Sequence, residues 1–111
     1  MAVFGGAPLA VRCMENEAAV AALAALAFET RLQAVQLLAT VGDDGLAAGE
    51  LSRRLGVQQN TLSDHLASLA RAGIVKADRQ GRSIIYRANP QAVRDLVLFL
   101  SERLGANARA A

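Results

Sequence analysis

Few side chains in this sequence are suited to covalent or metal chemistry. The 111 residues hold one His, one Cys, one Tyr and no Trp. Ser63 lacks the partners of a hydroxyl nucleophile, because the only imidazole, His65, sits two residues away on the same predicted helix. Asp64 and His65 do not make a metal site. Adjacent helical residues point about 100° apart, and no third or fourth ligand is evident. A lone Cys13 excludes an intramolecular disulfide and a cysteine-cluster zinc site within one chain. Beside Arg12, it reads either as an oxidant-sensing or subunit-bridging thiol or as an incidental one. No glycine-rich phosphate loop follows a strand. The sequence therefore predicts no enzyme, no metal and no cofactor.

The chemistry that remains is polar and cationic. Eleven of the twelve cations are arginine, the residue whose planar fork matches phosphate and guanine. Their placement is uneven. Residues 1–50 carry two cations against six acids, whereas residues 51–111 carry ten against four, giving −4 and +6. Within the basic half, Gln59, Asn60, Thr61, Ser63 and Ser68 place short hydrogen-bonding side chains on one predicted helix. Lys76, Arg79, Arg82 and Arg87 lie in or beside a predicted hairpin, and Arg53 and Arg54 on the preceding helix. His65 fits either a contact to base or phosphate or the edge of the core.

These residues need a scaffold, and the apolar spacing supplies one. Apolar side chains make up 53% of the chain and charged ones 20%, enough for a core in a single domain. So small a chain buries only roughly two thirds of its unfolded surface, so further burial between subunits is expected. Residues 15–27 predict an alanine-rich first helix with Val20, Leu23, Ala24 and Ala27 on one face. Residues 29–41 predict a second, with a stripe of Leu32, Val35, Leu38 and Ala39. After the loop Gly42–Gly45, residues 47–55 predict a short third helix ending at Gly56, with Leu51 and Leu55 as anchors. Residues 59–72 predict a fourth, in which Leu62, Leu66 and Leu69 repeat at helical spacing. Ile74–Ala77 and Ser83–Ala88 read as two strands around the polar turn Asp78–Arg82, with Tyr86 better suited to hairpin packing than to base stacking. Asn89 as N-cap and Pro90 at the first helical position open a fifth helix over residues 90–104. Val93, Val97, Leu100 and Leu104 lie on its stripe, which carries more apolar surface than one neighbour needs.

The expected fold is mainly α with a small β-hairpin: a winged helix-turn-helix of five helices plus a two-stranded wing, dimeric. Residues 1–14 and 105–111 read as flexible tails and 15–104 as the domain. Met14, followed at once by acidic residues, is a second candidate translation start. The first residues lack the basic-then-apolar plan of a signal peptide, and no run approaches the ~20 apolar residues of a membrane span, so a cytoplasmic location is expected. A major groove about 12 Å wide admits one helix, and short polar side chains on its outer face reach base edges. Arginines on a wing and a supporting helix hold phosphates or enter the minor groove. Order and composition together favour double-stranded DNA as the partner. A winged-helix docking module for an acidic protein is the alternative.

The stretch Glu50–Ala88, ELSRRLGVQQNTLSDHLASLARAGIVKADRQGRSIIYRA, resembles the core of the arsenic-repressor (ArsR/SmtB) family of bacterial regulators. Thr30, Arg31 and Leu32 match the opening of that family's second helix, and the likeness spans about residues 15–104. The resemblance implies a homodimeric DNA-binding repressor on an inverted repeat. Its interface would include Val20, Leu23, Ala24, Ala27, Val93, Val97, Leu100 and Leu104. It also marks departures. Where metal-sensing members carry Cys-x-Cys before the acidic residue matching Glu50, this chain has Ala47 and Gly49. The paired cysteines that another subgroup places after Phe-Leu-(Ser/Thr)-Glu are absent from Phe99–Gly105, and the last helix has Asp95 and Glu102 but no His. The expected signal is therefore not a thiolate-bound metal. A small organic inducer lodged between the first and last helices, or control by abundance alone, is the candidate, with an atypical metal or arsenic site as the rival.

Overall fold

The computed structural model describes residues 14–105. Five helices surround one leucine-rich core: α1 (Asn16–Leu26), α2 (Glu29–Val41), α3 (Ala48–Leu55), α4 (Gln59–Arg71) and α5 (Pro90–Arg103). A 3-10 turn (Gly42–Asp44) leads into a two-residue strand β1 (Leu46–Ala47), and β2 (Val75–Gln80) and β3 (Ser83–Ala88) form the wing. The sheet is antiparallel in the order β1-β3-β2, so the wing has a third strand that the sequence reading lacked. The predicted tails, and Arg12 and Cys13 with them, lie outside the described residues apart from Met14 and Gly105. Among the described residues, no single helix is long and apolar enough to cross a membrane.

The α4 reading holds in full for its apolar face. Leu62, Leu66 and Leu69 are completely buried, together with Leu38, Leu51 and Ile74. At 1.5–3 kcal/mol for each large side chain withdrawn from water, this layer is the main stabilising contribution. In α1 the face of Val20, Leu23, Ala24 and Ala27, expected at a subunit interface, lies outside the core. Ala19, Ala22 and Ala25 are buried, while Val20 and Leu23 are 64% and 43% exposed, and Ala24 and Ala27 are exposed. Three methyl-sized side chains let the α1 backbone lie close to its neighbours, and this leaves the bulkier residues outside. In α2 the buried line is Ala34 and Leu38, one turn apart, whereas Leu32 and Ala39 are exposed.

The end of α3 is closed from within: the Val57 N–H donates to the Ser52 carbonyl at 3.1 Å, and the Ser52 hydroxyl donates to the Val57 carbonyl. The hairpin is longer than expected. Pairing runs from Val75↔Ala88 to Gln80↔Ser83, which leaves a two-residue turn of Gly81 and Arg82 in place of Asp78–Arg82. Gly81 at φ 65° takes the backbone conformation such a tight connection requires. Tyr86 is buried at the base of the wing. Asn89 precedes α5, but its side chain makes no capping bond. Its amide donates to the Gly73 carbonyl at 2.8 Å, and its backbone N–H to the Ile74 carbonyl at 2.9 Å, which ties α5 to the end of α4.

Candidate nucleic-acid interface

α3 and α4 meet across Gly56–Gln58, and the leucine face of α4 fixes the azimuth of everything on its other side. Gln59, Asn60 and Thr61 are exposed in its first turn and Ser63 is half-buried beside them. Opposite the leucines, Asn60, Asp64, Ala67 and Arg71 form an exposed column with i, i+4, i+7, i+11 spacing.

Two of the expected contact residues sit on the body side of α4. The Arg31 Nε donates to His65 Nδ1 at 3.0 Å, so the accepting nitrogen carries no proton in this arrangement. The His65 ring lies 5.9 Å from that of Phe28, and the Arg31 guanidinium stacks 4.1 Å above Phe28. A further bond from Arg31 reaches the Ala25 carbonyl at 3.4 Å. His65 thus fastens the middle of α4 to the α1–α2 corner. Ser68 accepts from Arg71 Nη2 at 3.1 Å and lines a hollow of about 350 Å³ with Ala21, Ala24 and Phe28.

The cations divide in the same way. Arg53 and Arg54 both pair with Glu50, the latter at 2.8 Å, which leaves their guanidinium groups exposed but partly neutralised. Arg87 is an internal tie. Its Nε donates to the Asp43 carbonyl at 2.7 Å and its Nη1 to Asp78 at 3.2 Å, joining the wing to the turn before β1. The amide of Gln80, and then Arg87, hold the Asp78 carboxyl below its ordinary value of 3.8. Lys76, Arg79 and Arg82 are exposed and make no ion pair among the described residues.

The sequence reading did not assign roles to Arg31, Phe28, Glu50 or Asp64. Glu50 was recoverable, since it stands three and four residues before two arginines on a predicted helix. Arg31 and His65 are 34 residues apart and left no local signal.

Both the sequence and the fold of this chain are shared with known proteins. The family model for a helix-turn-helix domain matches residues 26–77. Over 97 residues the chain is 37% identical to the transcriptional activator HlyU of Vibrio cholerae, covering 86% of this chain and 87% of that one. The solved ArsR-like transcriptional regulator from Rhodococcus sp. RHA1 superposes with a TM-score of 0.69 at 32% identity, over 81% of each chain. This chain belongs to the ArsR family. It is a winged helix-turn-helix, DNA-binding transcriptional regulator. A homodimeric winged helix-turn-helix DNA-binding domain from Mycobacterium bovis superposes with a TM-score of 0.64 at 26% identity, over 84% of each chain. In this fold α3 and α4 are the helices of the helix-turn-helix, and β2–β3 is the wing.

Proposed function

We propose that this ArsR-family chain is a homodimeric repressor that binds an inverted-repeat operator in the cytoplasm and is released by a signal other than a thiolate-bound metal. The observation that carries the DNA reading is the exposure of Gln59, Asn60, Thr61 and Ser63 beside a wing on which Lys76, Arg79 and Arg82 stand unpaired among the described residues. Phosphates take the wing cations and base edges take the α4 side chains. Dimerisation is supported by the apolar surface of α1 and α5. Val20, Leu23, Ala24 and Ala27 leave one side of α1 exposed, and Val97 and Leu104 are 55% and 70% exposed. Val93 and Leu100 are half-buried at the margin.

Ala47 and Gly49, at the positions where the resemblance puts the metal-binding cysteines, have no ligand atoms in their side chains, which supports a signal other than a thiolate-bound metal. A better-supported place for a small organic effector is a hollow of about 480 Å³ between α2 and α5, rather than between the first and last helices. Val35, Leu38, Ala88, Pro90 and Val93 line it, with Arg94 and Asp43 as its charged residues. Because the Asp43 carbonyl holds Arg87, an occupant would press on the tie that positions the wing.

Titrating the pure protein against DNA from upstream of its own gene, with a scrambled duplex as control, tests the proposal. Salt-sensitive binding that prefers the upstream duplex is expected, and the Ala variants of Gln59, Thr61 and Ser63 lose that preference. Absence of preference in the unaltered protein removes the DNA-reading function, and retention in all three variants favours a docking module. Activation from the same operator is the second reading, favoured by the name of the Vibrio cholerae relative. A reporter gene whose expression falls on deletion of this chain would decide for it.

A further inference from the structure

We propose that Asp64 is the specificity-determining acceptor of the reading helix, taking the exocyclic amino group of a cytosine in each half-site; this rests on the operator-binding function proposed above. Asp64 is exposed on the side of α4 opposite Leu62, Leu66 and Leu69, one turn after Asn60. Among the described residues no side chain bonds to its carboxylate. It makes no ion pair among the described residues, whose ion pairs use Glu50 and Asp78 as acids. As the sixth residue of α4 it lies beyond the first turn, where a negative charge favours the helix dipole, and aspartate is a poor helix former.

On a surface that must approach DNA, a carboxylate is selective by what it rejects. It accepts and cannot donate, so it is repelled by phosphates and by the acceptor-rich edge of guanine. In the major groove it is satisfied only by an amino group, on cytosine or adenine. Adenine presents its N7 acceptor beside the amino group, which would oppose the second carboxylate oxygen; cytosine presents no acceptor there. Its neighbours suit this role. Asn60, Asp64 and Ala67 all have short side chains, so the helix backbone can sit close enough to the groove floor for an aspartate to reach a base. Arg71, next in the column, has the length to reach a phosphate.

Selection from a library of random 24-base-pair duplexes, run in parallel with the unaltered protein, Asp64→Asn and Asp64→Ala, tests this. The unaltered protein is expected to enrich an inverted repeat with cytosine at one fixed position in each half-site. Asp64→Ala should lose the preference at that position alone, by roughly 5- to 10-fold per half-site, and bind scrambled duplex more tightly. Asp64→Asn should move the preference toward adenine, whose adjacent donor and acceptor match a carboxamide. Helical content by circular dichroism confirms that both variants are folded. Identical motifs from all three proteins, or an equal loss at every position, overturns the role of Asp64 while leaving operator binding intact. Failure of the unaltered protein to enrich any motif overturns operator binding, and the role of Asp64 with it.

Discussion

Two arginines of the wing look alike in the sequence and have opposite roles in the structure, which makes them a sensitive test. Arg87 is half-buried, with its side chain 30% exposed, and is bonded to the Asp43 carbonyl at 2.7 Å and to Asp78 at 3.2 Å. Arg82 is exposed in the turn at the wing tip, with no ion pair among the described residues. Suppose each Arg82 of the proposed dimer neutralises one phosphate. Each such contact contributes about −0.9 to the slope of log K against log salt, so Arg82→Ala should flatten that slope by about 1.8. Between 50 and 200 mM salt the flattening amounts to about a 12-fold smaller loss of affinity. Its melting temperature should stay within about 2 °C, as for an exposed residue without partners. Arg87→Ala should do the reverse. Loss of one charge-assisted bond to a carbonyl and one partly exposed ion pair costs about 1–2 kcal/mol. That lowers the melting temperature by roughly 5–12 °C while the salt slope is retained. Anisotropy titrations at four salt concentrations, with thermal melts of the same samples, read both quantities. A flattened slope with an unchanged melt for Arg87→Ala would refute the assignment.

Other consequences follow from single residues. Gly45 has φ 65°, and an added Cβ would lie 2.6 Å from the Tyr86 carbonyl oxygen and 2.7 Å from Ile85 Cγ2, so Gly45→Ala should cost about 3 kcal/mol by urea denaturation. Gly81 shares the φ with nothing within 4 Å, and Gly81→Ala should cost only about 1 kcal/mol. Equal losses would show that the close approach at Gly45 does not matter. The depressed Asp78 carboxyl contributes stability above the ordinary value of 3.8, and that contribution is lost as pH falls through the lower folded value. Acid denaturation of Asp78→Asn should therefore converge with that of the unaltered protein below this range and separate from it above; parallel curves would contradict the assignment. Leu23→Glu places a charge on the exposed face of α1 and should give a folded monomer by light scattering, with operator affinity lowered at least about 100-fold; an intact dimer would exclude that face from the interface.

What was legible in the sequence followed from side-chain size. Leu62, Leu66 and Leu69 differ so much from their polar neighbours that only one face of α4 can be buried. In α1 alanines occur on every side, and the face buried within the chain, Ala19, Ala22 and Ala25, is the one with the least apolar area, so side-chain size did not mark it. β1 has two residues, too few for any alternation, and exists only because β3 offers it a partner. Polar side chains on α4 were recognised by type, but type does not show that Ser68 accepts from Arg71 or that His65 is held by an arginine 34 residues away. The paired state of Arg87 likewise depends on a turn 44 residues distant.

In the proposed complex two α4 helices of a dimer read two half-sites on one face of the duplex. Half-sites one helical turn apart, at 10–10.5 base pairs, match that geometry, and insertion of five base pairs between them rotates one half-site to the opposite face. The most direct measurement is an anisotropy titration at 150 mM salt on the upstream inverted repeat with and without that insertion. Sequence-preferring binding to the first duplex and at least about a 100-fold loss on the second are expected. Equal affinity for both duplexes would contradict that arrangement.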